Sequence, residues 1–537
     1  MILILLTWIY MFFVFSVQGE CINSFLFKGK LKSIGEIVLL GMIFQAIIVT
    51  VTAFFIRIHI EYFCANTLLT IIAAFFNRTI LHSRLKTLFR WDRFCTVLFF
   101  VIVFLSLARS SLLPLIFDNE SYYIQTIKWL NEYGWVKGLA NLHVFLSHGS
   151  PWHALQAAYN FNFVYDKFND INGFLVCAMA LLWVDKINEL RTKSDYQTNR
   201  WLYFLPVFSI VWFLFVDSPS TDLPLFFISL VVIYHVLNRT EEGSLFAILL
   251  AVFLIFIKAS MLPILVLAIY LISKKNWRIV LPYAIILGII YITKGIWLSG
   301  YPLTPYTGLL ISLPWTVPSE MYAPSDIDTF IFKAFFDNDW EDIVLFFVIL
   351  LTFIGYVLAV VKKKDQYPIV LFFIAEWLLI LFTYTQFRYM LPALFYPFAY
   401  LLSKVKIPPR LIHVMVYCSI LIVAIPIFAP YGNEKKINRE LLRIKRFHKE
   451  AFIEPSGISG FENIIFEEKF CINFDFYHPA DTTIAHSMYT TGNGPIPCAH
   501  TSYLISMFER TGRLPALIGN DFSKGFTNVP ACYEDTE

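Results

Sequence analysis

Long apolar runs separated by short polar loops recur along the first 430 residues of the chain. They fall at about 1–18, 35–57, 62–77, 94–115, 171–188, 201–216, 223–238, 244–257, 261–273, 279–295, 343–361, 367–385, 388–403 and 411–430. A helix needs about 17–25 apolar residues to cross a bilayer, so the pattern predicts an all-α polytopic membrane protein with about fourteen transmembrane helices. Runs 62–77 and 261–273 are short, as expected of re-entrant segments or half-helices held inside a bundle. The pattern divides the chain into a membrane domain, 1–430, and a C-terminal region, 431–537, expected to be of mixed structure.

Composition agrees with the pattern. Of 537 residues, 58% are hydrophobic, 18% aromatic and 15% charged, against about 25% charged in a soluble chain. The net charge of +3 gives no basic surface of the kind nucleic acid requires. No P-loop, G-x-G-x-x-G, H-E-x-x-H or paired C-x-x-C is present, which removes the usual signatures of nucleotide-driven pumping, dinucleotide redox chemistry and zinc. The first run lacks a basic leader and a cleavage site, so it reads as a retained span.

Every second loop is basic: Lys28/Lys30/Lys32, Arg78 to Arg93, Lys186 to Arg200, Arg239, Lys274/Lys275/Arg278, Lys362 to Lys364 and Lys404 to Arg410. These loops hold 22 of the 42 basic residues, against 9 at all other positions before the tail. Lys and Arg stay on the cytoplasmic side. The alternation therefore predicts that 116–170, 217–222, 296–342, 386–388 and the C-terminal region lie outside the cytoplasm. Cys471, Cys498 and Cys532 would then be exposed to oxidising conditions, where one disulfide with three possible pairings can form.

The long loops lie on that external side, and the candidate chemistry lies with them. Asp118 or Asn119 can cap a helix whose apolar face is Ile124, Ile127 and Leu130, with Trp129 beside it, ended by Gly134. This predicts an amphipathic helix lying on the outer membrane surface. Asp118 and Glu120 stand at its start, and Asp217 and Asp222 share a second acidic loop. Two acidic loops on one face could bind a divalent cation through oxygen ligands. Lys258 and Arg388 sit at the ends of apolar runs, and Glu376 lies inside one; charges at membrane depth usually line a cavity or meet a counter-ion. His143, His148 and His153 are spaced by five, a poor fit to the three- or four-residue spacing of helical metal ligands.

Carboxylates beside Lys and Arg, on the outer face of a thick bundle, suit transfer of a sugar from a lipid phosphate to a hydroxyl. The carboxylate takes the hydroxyl proton and the cations hold the phosphate. The strings FDNESYYIQTIKWLNEYGWVKGLANLH (117–143), SPSTDLP (218–224), FIKASMLP (256–263), SGYPLTPYTG (299–308), LPWTVP (313–318) and QFRY (386–389) together resemble the GT-C superfamily of membrane glycosyltransferases. The resemblance, to bacterial multi-pass relatives, implies a GT-C-like fold in a bacterial inner membrane and Asp118 as catalytic base; Glu120, Asp217 and Asp222 are expected as supporting or metal-binding acids. It implies Lys258 and Arg388 on the donor phosphate. Tyr122, Tyr123 and His143 are expected on the acceptor side. The partners expected are a polyprenyl-phosphate-linked sugar, a glycan or lipid-linked acceptor and membrane lipid, in cell-surface glycan assembly. The competing expectations are a polymerase or ligase of lipid-linked oligosaccharides, and a lipid or glycan transporter.

The sidedness is testable directly. Alkaline phosphatase fused after Glu537 should be active, and the same reporter fused after Lys275 inactive. The reverse pair of signals would invert the topology.

Overall fold

Two glycines let the first helices touch backbone to backbone. Helices α1 (Ile2–Leu26) and α2 (Ile34–Thr52) run antiparallel. A Cβ on Gly19 would lie 1.9 Å from the Ile37 carbonyl oxygen, and one on Gly41 2.0 Å from that of Phe15. Lipid is as apolar as leucine, so close packing over small residues replaces the hydrophobic drive between such helices. Helix α3 (Ile60–Leu88) is tied on by polar groups. Gln18 donates to Asn66 Oδ1 at 2.9 Å and to Thr70 Oγ1 at 2.8 Å. The Tyr62 and Tyr159 hydroxyls donate to Gln45 Oε1 at 2.8 and 3.0 Å. All six of these residues are buried, so each bond is made where no water competes.

The structure is a computed structural model that describes residues 1–88, 90–114, 116, 118–165, 170–192, 199–208, 212–213, 215–322, 340–383, 391–428, 447–457, 464–467, 472–479, 491–519 and 521–531. The membrane domain continues through α4 (Arg93–Ser110), α5 (Ile124–Glu132), α6 (Pro151–Tyr159), α7 (Ile171–Thr192), α8 (Asp222–Asn238), α9 (Glu241–Ile257), α10 (Leu265–Leu271) and α11 (Trp277–Ser299). It closes with α12 (Trp340–Val360), α13 (Tyr367–Thr383), α14 (Leu391–Lys404) and α15 (Pro409–Phe428). The chain is mostly helical, and among the described residues six helices are long and apolar enough to cross a membrane: Ile2–Leu26, Ile34–Thr52, Ile60–Lys86, Arg93–Ser110, Ile171–Arg191 and Trp277–Ser299. The run at 201–216 departs from its expectation. It holds a 3-10 helix, Arg200–Phe208, with Pro206 inside it. Proline removes a backbone donor and obstructs the preceding turn. Pro263 marks a similar break, and the run at 261–273 is a 3-10 helix, Ala259–Ile264, followed by the short α10.

The basic loops gather at one end of the bundle. Lys30 pairs with Glu242 and Lys275 with Glu241, in the first turn of α9, where Thr240 caps the helix. Arg84 reaches Glu20 at 3.4 Å and the carbonyl oxygens of Gly29 and Lys32. Asp92, the cap of α4, pairs with Arg191 of α7.

The other end is closed by the segment 118–165 and by the C-terminal region. That region holds two antiparallel pairs, β1 (Ile464–Glu467) with β2 (Phe476–Pro479) and β3 (Arg513–Leu517) with β4 (Phe526–Pro530), and a helix, α16 (Thr501–Thr511). It docks through backbone and side-chain hydrogen bonds. The Met1 amino group donates to the Ala451 carbonyl at 2.6 Å, and Ser456 N to that of Ser111 at 2.9 Å. Phe526 N donates to the Lys137 carbonyl at 2.8 Å, and Asn528 to Asn141 Oδ1 at 2.8 Å. This changes the picture of the helix at 124–132. It does not lie bare on a lipid surface, because its polar side carries the C-terminal region and Trp129 packs edge-on against Phe526 at 5.7 Å.

In the last turn of α4, Arg109 meets Asp217 at 2.6 Å, with 1% and 0% of the side chains exposed. Breaking a buried pair strands a charge, which typically costs about 3–5 kcal/mol. Arg109→Met should therefore lower thermal stability in detergent by that order, and adding Asp217→Leu should recover part of the loss. A single variant as stable as the parent would contradict the pairing.

Candidate functional site

The closed end is built from four short elements. A π-helical turn, Asn119–Tyr123, opens α5, with Asp118 as the residue before it. Such turns are uncommon and recur at functional sites. The turn places Tyr122 and Tyr123 side by side, 4.5 Å between ring centroids, and Tyr123 donates to Asp118 Oδ2 at 3.4 Å. Asp118 is half-buried and Tyr123 buried. Asp118 does not cap the turn with its side chain.

A 3-10 turn, Val144–His148, leads into α6. Sequence explains this second boundary: Ser150 caps the helix, Pro151 fills its first position and His153 completes a capping box. His153 Nδ1 accepts from Ser150 N at 3.3 Å, so its Nε2 carries the proton. The His153 ring stands 4.7 Å from Tyr123 and 6.0 Å from Tyr122, and His148 stands 6.0 Å from Tyr122. Ser150 Oγ also donates to the Ile257 carbonyl at 3.1 Å, which ties this loop to the end of α9.

The third and fourth elements bring charge. Lys258 ends α9 and donates to Asp222 Oδ1, in the first turn of α8, at 2.8 Å. Asp222 is 1% exposed while about a quarter of the Lys258 side chain is open to solvent. Lys294, within α11, donates to the Gly149 carbonyl between the rings of Tyr291 and Trp135, at 5.5 and 5.9 Å. Burial, then the Lys258 and Lys294 cations, lower the His148 pKa to about 4. Burial, then Lys294, His148 and Lys258, lower that of His153 to about 3. Both imidazoles are therefore neutral hydrogen-bonding groups at neutral pH.

The C-terminal region roofs this end. Thr491 N and Gly492 N donate to the Glu120 carbonyl at 3.0 and 2.8 Å. Gln125 donates to the carbonyls of Gly492 and Gly494, and Lys128 to those of Asn493 and Gly494.

The expected site residues fall into three groups. Asp118, Glu120, Tyr122, Tyr123, Asp222 and Lys258 lie at this end. Asp217 does not act as an available acid, because Arg109 neutralises it in the interior. His143 is engaged locally: its Nδ1 accepts from Phe145 N at 3.2 Å and its ring packs on Tyr503 of α16 at 4.7 Å. Arg388 lies outside the described residues, as do Cys471 and Cys532. Cys498 is buried, with Sγ 3.8 Å from the Thr491 carbonyl oxygen. Among the described residues no three His, Cys, Asp or Glu converge as a metal site. Sequence reasoning overlooked His148, His153 and Lys294 as a group. A solitary lysine inside the apolar run 279–295 is the signal that could have found it.

Fold and site define a helical membrane protein whose polar groups collect at one roofed end of the bundle. Residues 1–344 match the model of a family described as a domain of unknown function (DUF8201), and the chain belongs to that family. No curated protein and no solved structure matches the chain.

The neutral His153 makes a pH prediction. Unfolded, it takes a proton near its ordinary 6.5; folded, only near 3. Stability is thus fully present above pH 6.5 and is lost as pH falls toward 3, by about 2 kcal/mol at pH 5. Thermal unfolding between pH 7 and 5 should show this drop together with a similar one from His148, and His153→Gln should remove about half of the total. An equal slope in both proteins would contradict the assignment.

Proposed function

We propose that the protein is a glycosyltransferase of GT-C-like architecture, with about fourteen spans. It moves a sugar from a polyprenyl-phosphate-linked donor to an acceptor hydroxyl at the extracytoplasmic face of a bacterial inner membrane. The observation that carries this reading is the meeting of Asp118, the Tyr122–Tyr123 pair, His148, His153 and Lys258 at the end opposite the basic loops.

Asp118 takes the proton of the acceptor hydroxyl as its oxygen bonds to the anomeric carbon. The bond from that carbon to the donor phosphate breaks, and its electron pair leaves on the phosphate oxygen. Cations hold the growing charge. Tyr123 orients the carboxylate, and Tyr122 offers an aromatic face to the sugar.

A second reading, a lipid or glycan transporter, draws on one feature. The chain breaks at Lys258, between α9 and the 3-10 turn that follows, as helices do at transport sites. The two readings separate on one assay. Purified protein in nanodiscs should transfer labelled sugar from a polyprenyl phosphate, and Asp118→Asn should fold normally yet transfer about 10²–10⁴-fold more slowly. Transfer by Asp118→Asn at the parental rate would remove the base assignment. Movement of the lipid without any transfer would favour the transporter.

A further inference from the structure

The ionic groups of the bundle do not all balance. Arg109 is matched by Asp217, and Lys258 by Asp222. Lys294 has no carboxylate of a described residue within ion-pair distance, although it is only 4% exposed. Its ammonium is held by one carbonyl oxygen, of Gly149, and by two ring faces. An ammonium has three protons to donate, and an isolated cation at membrane depth is expensive unless an anion meets it.

Two further features point to the same place. His153 is 1% exposed, and its Nε2 has no hydrogen-bond partner among the described residues. Because Nδ1 already accepts from Ser150 N, Nε2 is a buried donor left unused. The amino end of α6, nine residues long, begins at Pro151, two residues after the Gly149 carbonyl that Lys294 holds. Its dipole favours negative charge there. Around them, His148 and Tyr122 are half-buried and Lys258 is partly exposed.

We propose that Lys294 and His153, at the amino end of α6, form a binding site for a phosphate oxyanion. The ammonium supplies the charge, the imidazole N–H supplies a directed bond, and the tyrosine pair covers the ester side. This deepens the proposed function by moving the donor phosphate from Lys258, which Asp222 already neutralises, to Lys294. It rests on that reading only for the source of the phosphate, which is either a lipid headgroup or free phosphate.

Calorimetric titration of the full chain in detergent tests it, with dodecyl phosphate in one arm and inorganic phosphate in the other. The parent should bind in at least one arm. Tighter binding of dodecyl phosphate assigns the site to a lipid headgroup, and equal or tighter binding of inorganic phosphate assigns it to the free ion. Lys294→Met should weaken binding about 10-fold or more, and Lys294→Arg should restore most of it. His153→Ala leaves Lys294 and its carbonyl bond in place, and should weaken binding about 3- to 10-fold. That second variant decides the matter where Lys294→Met does not fold. Parental affinity in Lys294→Met overturns the site, as does parental affinity in His153→Ala when Lys294→Met is unfolded, or no binding by the parent in either arm. Lys294-dependent binding without sugar transfer would keep the site and remove the glycosyltransferase reading. Transfer at parental rate by Lys294→Met, with parental phosphate affinity, would do the reverse.

Discussion

A charge inside an apolar bundle must meet an opposite charge or a set of dipoles, and the arrangement of this protein follows from that constraint. Arg109 can lie fully buried in α4 because Asp217 faces it. Asp222 can sit at the buried start of α8 because Lys258, at the end of α9, reaches it. The second pair fixes where two helices end relative to each other, and with it the floor of the roofed end. Lys294 obeys the rule by borrowing a carbonyl dipole and two aromatic faces. It is the one cation of this cluster that the described residues leave without a carboxylate, and so the natural place for an incoming anion.

The same logic governs the neutral polar groups. The network of Gln18, Gln45, Asn66, Thr70 and Tyr62 locks α1, α2 and α3 together. Through Tyr159 it also anchors the far end of α6. The near end of α6 carries His153. Helix packing in the bundle therefore sets the position of an imidazole in the cluster. From above, the C-terminal region binds the Glu120 carbonyl and accepts from the Gln125 and Lys128 side chains. Lys137 is clasped between Trp297 and Trp315, at 4.7 and 5.5 Å from their rings, beneath β4. The π-helical turn with Asp118 is thus held from both sides.

Much of the architecture is legible in the sequence because hydrophobic runs and basic loops are local signals. The loops around Lys30, Arg84, Arg191 and Lys275 do share one end of the bundle. Proline placed the breaks at Pro206 and Pro263, yet the run at 201–216 reads as a span by hydropathy alone, since hydropathy does not register a missing N–H. The site is less legible, because its pairings join distant positions. Nothing local relates Asp222 to Lys258, or Lys294 to Gly149, 145 residues away. The five-residue spacing of the histidines speaks only to metal ligation on a helix. It does not reveal that the chain between His148 and His153 is a turn and a cap, which bring both rings to Tyr122. The apolar face at Ile124, Ile127 and Leu130 suggested a helix on a lipid surface. The partner of its polar face lies more than 360 residues later in the chain.

The central claim is that the roofed end, with Asp118, His153 and Lys294, receives a lipid-linked phosphate. Electron cryomicroscopy of the full chain in nanodiscs, with an added polyprenyl phosphate, tests it most directly. The account predicts phosphate density within hydrogen-bond reach of Lys294 Nζ and His153 Nε2, below residues 491–494, with the ester side toward Tyr122 and Asp118. Phosphate density among Lys30, Arg84 and Lys275 at the opposite end would contradict it.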